Sequence, residues 1–319
     1  MRAFLIRRLL LGILTVYGVA TLTFILMRIV PGDPALIALA DPSRGEAVPK
    51  AQLEAKRREL GLDKPLAQQY ITWLANSIRF NFGKSSWGGG DVVDEYLRRL
   101  PLSLNMAILA FIMTVLVGIP LGILSAIKQD TPLDYIARII AISGLSMPSF
   151  WVAILIIVVL LRVFSWLPSL DYVPFWENPL RNLTQLFFPS FAVAFGFIGV
   201  VTRMTRSSLL EVLREDYIRT AWSKGLRERT IILRHALRNA LLPVITVLGL
   251  QFGFAIGGLV VVEAAFNLPG AGRFLFEATL RRDYNVIQAS LFAIALFVTL
   301  ANLLVDVLYA WLNPRVRLE

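Results

Sequence analysis

Apolar residues in this chain gather in long blocks rather than in the short periods of a water-facing helix or strand. A hydrocarbon core about 30 Å thick takes about 20 apolar residues per helix. Six blocks read as spans on that measure: residues 9–30, 102–127, 136–164, 186–201, 241–262 and 286–312. The fourth is the shortest, and Pro189 interrupts its start. Between the first and second blocks the pattern predicts a small folded cap. Val30-Pro31-Gly32-Asp33 places Pro and Gly at the centre of a type II turn. A charged helical run over 52–60 stops at Gly61, a second helix covers 66–78, and Gly88-Gly89-Gly90 breaks the chain before a run over 91–100. A similar turn is expected at Leu268-Pro269-Gly270-Ala271. The apolar stretch 274–280 after it reads either as a surface or re-entrant segment or as an ordered loop. The fold class is therefore all-α integral membrane, divided into a first helix (1–30), a helical cap (31–100) and a five-helix core (101–319), with a polar loop at 207–241.

Composition agrees: 56% of the residues are hydrophobic and 17% are charged, where a soluble domain carries roughly a quarter. Arg2, Arg7 and Arg8 before the first block resemble a signal peptide's start, but the apolar run is too long and Pro31 follows without a small-residue cleavage pattern. The net charge of +10 is explained by basic loops held on the cytoplasmic side rather than by nucleic acid. With six spans, Arg2, Arg7 and Arg8 at one end and Arg315 and Arg317 at the other both fall inside, together with the basic loop between spans four and five. Both termini are thus expected in the cytoplasm of a multi-pass protein. Cysteine is absent and His235 is the only histidine, which leaves no thiolate or multi-histidine metal site.

The loop after the fourth block carries the densest pattern. Ser208-Leu209-Leu210-Glu211 fits a capping box. Leu213, Tyr217 and Ala221, with Ile218 and Trp222, recur at four-residue spacing and predict one apolar helical face. Gly225 stands where a left-handed stop belongs, and a second basic helix over 228–241 leads to Leu242-Pro243 at the start of the fifth span. Pattern alone leaves open a helix lying among headgroups and a helix docked on a cytoplasmic partner. A DNA-binding helix-turn-helix is disfavoured by the tether to membrane at both ends.

The run Asp216-Tyr217-Ile218-Arg219-Thr220-Ala221, then Lys224-Gly225-Leu226, then 234–243 ending in Leu242-Pro243, resembles the coupling loop of the dipeptide/oligopeptide (peptide/nickel) ABC-importer permeases. Arg219-Thr220 stand where importers generally have Glu-Ala, and Trp222-Ser223 depart from the usual small or basic pair. The likeness extends over nearly the whole chain: Arg28 to Pro34, Leu60 to Leu66, Ser146 to Trp151, Val262-Glu263, Pro269-Gly270, Arg282-Asp283-Tyr284, Asn302 to Asp306 and Asn313-Pro314-Arg315. Ala271 and Asn285 replace the usual Leu and Pro. The resemblance implies a permease in a prokaryotic plasma membrane, paired with a homologous second permease, two cytoplasmic ATPase subunits that hold ATP and Mg, and an extracytoplasmic substrate-binding protein. It implies ATPase coupling through Tyr217, Arg219, Thr220, Ala221, Lys224, Gly225, Leu226, Leu242 and Pro243. Di- or oligopeptide is the expected cargo, with oligosaccharide, glutathione or a nickel chelate as alternatives.

Other candidates rest on position. Ser143, Ser146 and Gln251, with Gly144, suit a hydrated pathway or ordinary close helix packing. Leu66, Tyr70 and Trp73 on the cap suit docking of a binding protein. Gly83-Lys84-Ser85 lacks the first glycine of a phosphate loop, since Ile78 occupies its place. Ser125 and Lys128 have Ser-x-x-Lys spacing, but Lys128 ends a span where it is expected to reach the interface. Asp306 is the one acid well inside a block and is expected to be structural. An ion-coupled secondary transporter would want charged groups near the midplane, where Asn105, Thr246, Gln251 and Asn302 stand instead. No internal repeat supports that reading either.

Overall fold

The computed structural model describes residues 2–29, 31–39, 49–166 and 172–312, without the side chains of residues 2–5, 38, 306 and 308–312. The Asp306 side chain, the loop 40–48, Arg315, Arg317 and the Asn313-Pro314-Arg315 motif lie outside the described residues.

Helix α1 (Arg2–Ile29) leads into a cap of three short helices, α2 (Pro34–Leu39), α3 (Lys50–Glu59) and α4 (Leu66–Ile78). Gly32, Gly61 and Gly89 take positive φ at the expected breaks, a conformation that costs glycine least. The second span is α5 (Val92–Met113), a single π-turn at Thr114–Gly118 and α6 (Ile119–Ile127). It starts ten residues before its apolar block, because the Asp91 carboxylate accepts from the Val93 and Asp94 amides and caps the helix there. The run expected separately over 91–100 is thus the same helix. The π-turn precedes Pro120, whose missing N–H and bulky ring disrupt a regular ladder.

The third block is not one helix. α7 (Pro132–Ser146) and α8 (Ser149–Phe164) meet at a bend of 111°. Met147 is extended, with φ −96° and ψ 121°, as a residue before proline prefers. The fourth block departs in the opposite direction: Pro189 does not interrupt it, and α9 runs unbroken from Pro179 to Val212 over 34 residues. Several buried polar residues in its flanks bond to other segments, Asn182 to Asn105 of α5 and to the Val173 carbonyl, Thr202 to the Gly118 carbonyl and Ser208 to α12, so the apolar block marks only the middle.

The fifth span joins α10 (Asp216–Ser223) through α11 (Glu228–Thr230), a second π-turn at Ile231–Ala236 and α12 (Leu237–Ala265). From Glu228 to Ala265 it is one 38-residue span, so the second basic helix and the membrane helix are continuous. The turn at 268–271 is not type II, since Gly270 has φ −91° and ψ 175°. The apolar stretch after it belongs to α13 (Ala271–Arg281), packed on α5, α12 and α14 (Tyr284–Leu312).

Five helices are long and apolar enough to cross a membrane, or six with the bent pair as one span, and no strand occurs among the described residues. α9 is the hub, packed against α5, α6, α7, α8 and α12, while α1 lies outside against α14. Ile6, Leu10, Ile13 and Leu14 of α1 stay exposed, as lipid-facing side chains do. At the α7–α9 crossing a Cβ on Gly144 would collide with the Phe195 carbonyl, and one on Gly199 with the Ala141 carbonyl. Lipid provides no hydrophobic drive between helices, so contact at backbone distance supplies the attraction.

Gly144→Ala should lower the thermal unfolding midpoint in detergent, with an overpacking cost of about 1–3 kcal/mol. Gly257→Ala, where nothing lies within 4 Å of the added methyl, should leave the midpoint unchanged or raised. Equal midpoints for the two variants would remove the close crossing as a constraint.

Candidate functional site

The basic loop forms an elbow at one end of the bundle. Ser208-Leu209-Leu210-Glu211 does not cap a helix start, because α9 continues through it; Ser208 is buried and donates to the Ala240 carbonyl of α12 at 2.9 Å. After α9, extended Glu215 precedes α10. Ile218 and Ala221 point inward against Leu209 of α9, Ala126 of α6 and Ile231, Ala236 and Ala240 of the fifth span, with Leu213 alongside. Tyr217 and Trp222, placed on that face by their spacing, are instead 42% and 49% exposed. An eight-residue helix buries only a narrow stripe, and these two side chains flank it.

Gly225 closes α10 with φ +70° and nothing within 4 Å of a built Cβ. The Gly225 N–H donates to Trp222 O at 2.9 Å and the Leu226 N–H to Ala221 O at 3.4 Å, satisfying carbonyls that the helix end leaves free. Tyr217 Oη meets Asn239 Nδ2 of α12 at 2.8 Å. Arg219 and Lys224 are exposed, with Arg219 held to Asp216 at 3.2 Å, and the Thr220 hydroxyl donates back to Asp216 O at 3.0 Å. Tyr217, Arg219, Thr220, Lys224, Gly225 and Leu226 therefore share one exposed elbow, and Ala221 is its buried key. Leu242 and Pro243 do not join it; they lie inside α12, about a turn beyond Asn239.

Three buried carboxylates, none of them selected from the sequence as site residues, fix the joints. Asp134 of α7 receives the Arg206 guanidinium of α9 in a two-pronged contact at 2.9 Å per prong. It also accepts from the Ser125 hydroxyl and, at 3.1 Å, from the Asp130 amide. Ser125 is thus committed to Asp134 and is no free nucleophile. Glu263 of α12 is fully buried, accepting from Ser103 Oγ at 2.6 Å and from the amides of Gly272 and Arg273 at the start of α13. Ser103 in turn accepts from the Ala271 amide at 2.8 Å. A Cβ on Gly270 would fall on the Glu263 carboxylate, which explains a glycine in an ordinary backbone conformation. Asp283 accepts from Ser85 Oγ at 2.7 Å and the Ser86 amide at 2.8 Å, tying the cap to the start of α14. Glu263 and Asp283 were legible as motif members; Asp134, two residues past a Thr-Pro helix start, carried no signal beyond being an acid beside an apolar block.

The remaining candidates separate. Gly144 packs against α9 as described. Ser143 and Gln251 are half-buried, Ser146 is exposed at the bend, and none of the three makes a side-chain hydrogen bond among the described residues. Leu66 is 62% exposed. Tyr70 and Trp73 are turned away from solvent against α1: Tyr70 bonds Thr21 at 2.8 Å, and both rings pack on Phe24 with centroids 5.2 and 5.5 Å away. Of the expected docking trio Leu66 is exposed and the two aromatics are half-buried, because amphipathic rings next to an apolar helix pack against it. An apolar groove of about 240 Å³ opens between α5, α12 and α14, with Ser103 and Glu263 in its wall.

A bundle of five or six spans with a rigid polar elbow at one end and a helical cap at the other defines a multi-pass membrane permease. The chain belongs to the family of binding-protein-dependent transport system inner membrane components, whose profile matches residues 118–318. The profile for the N-terminal part of such membrane components matches residues 1–107. It is similar to a Brucella abortus (strain 2308) protein provisionally named as a peptide transport system permease, with 42% identity over 319 residues and 100% of both chains covered. It is also 38% identical, over 314 residues and 98% of each chain, to the glutathione transport system permease protein GsiC of Escherichia coli (strain K12). The motif resemblance is thus borne out: this is a permease subunit of an ABC importer.

Asp134→Ala strands Arg206 and should cost about 3–5 kcal/mol of stability. The double variant Asp134→Ala/Arg206→Met should recover most of that loss. Thermal unfolding of both in one detergent checks this; a double variant no better than the single would mean that the pair is not what joins α7 to α9.

Proposed function

We propose that the chain lines half of the pathway of a peptide importer, facing a homologous second permease, with both termini in the cytoplasm. The elbow from α10 to α11 then docks in one of two cytoplasmic ATPase subunits that carry ATP and Mg, and this chain itself holds no cofactor. The observation that carries the reading is how α10 is held. Its inward stripe, Ile218 and Ala221, packs on three bundle helices rather than on lipid, which weighs against a helix lying free among headgroups. Its outward side presents Tyr217, Trp222 and Leu226 among Arg219, Lys224 and Arg227, all exposed. A rigid aromatic and basic knob of this kind suits an acidic-rimmed groove on a protein.

The cap at the opposite end then faces outward and receives a substrate-binding protein. Exposed Leu66 and Ile71 offer the contact, while Tyr70 and Trp73 hold α4 in place. Peptide cargo is supported by the names of the Brucella relatives, and glutathione, itself a tripeptide, by that of the Escherichia coli relative. Ser143, Ser146 and Gln251 are the pathway candidates.

Gly225→Val forces a β-branched residue into left-handed backbone at about 1–2 kcal/mol, and Arg219→Glu reverses charge on the exposed side. Both variants should insert normally, yet import into vesicles should fall at least about tenfold, the factor that corresponds to 1.4 kcal/mol, with ATPase subunits lost from the purified complex or hydrolysing without substrate control. Wild-type import and co-purification in both would sink the coupling reading. Single cysteines at Ser143, Ser146 and Gln251 enter a background with no native thiol. At least one should react with a water-soluble thiol reagent in some nucleotide state, and inertness of all three in every state would remove them from the pathway.

A further inference from the structure

A polar cavity of about 570 Å³ lies where the end of α1, the cap and the start of α14 meet. Three side chains that line it carry a polar group with no partner among the described residues. Gln288 is 6% exposed and its amide makes no hydrogen bond. The indole N–H of Trp73 and the hydroxyl of Tyr284 are buried and unpaired. Of the three, the Gln288 amide has accessible surface, and an unmet amide in a cavity is placed to donate to a ligand.

Charge narrows the choice. Arg28, Lys64 and Lys84 line the same cavity, and none pairs with an acid among the described residues. The Arg28 Nε and one Nη bind Gln69 Oε1 at 3.1 and 2.9 Å, which leaves its other amino group free. The one acid in the wall, Glu59, is taken by Lys56 at 2.8 Å. An anion with several oxygens fits this set.

Position narrows it further. Arg28 is in the last turn of an apolar span, beside Tyr70 and Trp73, residues suited to headgroup depth. A turn below Gln288, a second groove follows the α1–α14 seam, lined by Val19, Leu291, Ile294, Ala295 and Val298. A polar cavity with cations above and an apolar groove below has the division of an amphiphile. We propose that the seam of α1, α14 and the cap holds an anionic phospholipid, its phosphate accepting from Gln288 among Arg28, Lys64 and Lys84, one acyl chain in the groove. An acidic protein segment would fill the cavity but leave the groove below it empty.

The test is native mass spectrometry of the full chain, purified with its subunits in mild detergent from membranes containing phosphatidylglycerol and phosphatidylethanolamine. Phosphatidylglycerol should be retained in preference. Lys84→Glu should cut its retention at least about fivefold, the factor for one basic residue near an anionic surface, and Gln288→Leu should also lower it. Thermal midpoints near wild type for both variants show that the fold has survived. Retention unchanged in both variants, absence of bound lipid, or displacement of the lipid by inorganic phosphate or an acidic peptide would each overturn the proposal, the last two pointing to a free-anion or a protein-docking site.

Discussion

The approach of α9 to α7 at backbone distance is the contact on which the rest of the bundle rests. Between helices in lipid, apolar side chains gain little by leaving one hydrocarbon surface for another; attraction comes from short-range packing and from polar groups that lipid cannot satisfy. Gly144 and Gly199 permit the first. Arg206 and Asp134, on the same two helices, supply the second. With α9 fixed in this way, α5, α6, α8 and α12 are arranged around it, and only three residues separate its end from α10.

The carboxylates extend the same logic to the helix connections. Buried acids are tolerated where donors are fully supplied, and each is supplied here from segments distant in sequence. Glu263 gathers α5, α12 and α13 around one carboxylate, and Asp283 fastens the cap to the base of α14. Such joints resist independent motion of the parts they connect. Displacement at one end of the bundle is then transmitted as movement of whole helices, since packed interfaces switch between arrangements rather than deform continuously.

The elbow is in contact with several of these helices at once. It touches α6 and α9 through Ile218 and Ala221, and α12 through the Tyr217–Asn239 bond, while Ser208 bonds α9 to α12 beneath it. A push on α10 therefore reaches both long helices at once. The π-turns at Thr114–Gly118 and Ile231–Ala236 interrupt the ladders of the second and fifth spans, and single π-turns of this kind recur at functional positions in helices.

The sequence by itself determined the class, the spans as apolar blocks, the glycine stops at Gly61 and Gly225, the helix over 66–78 and the family motifs. Those features are local: a span needs only enough consecutive apolar residues, and a left-handed stop needs only a residue without a Cβ. Tertiary structure decided what depends on a distant partner. It set which side of α10 is buried, carried α9 straight through Pro189 and Ser208 while breaking the third block at Pro148, and turned Tyr70 and Trp73 onto α1. It alone revealed why Gly270 is glycine, because the side chain that excludes a Cβ there belongs to Glu263, whose carboxylate caps the helix that follows. Hydropathy measures how one residue meets its solvent; whether a polar residue is met by another protein group depends on a contact that only the folded chain brings together.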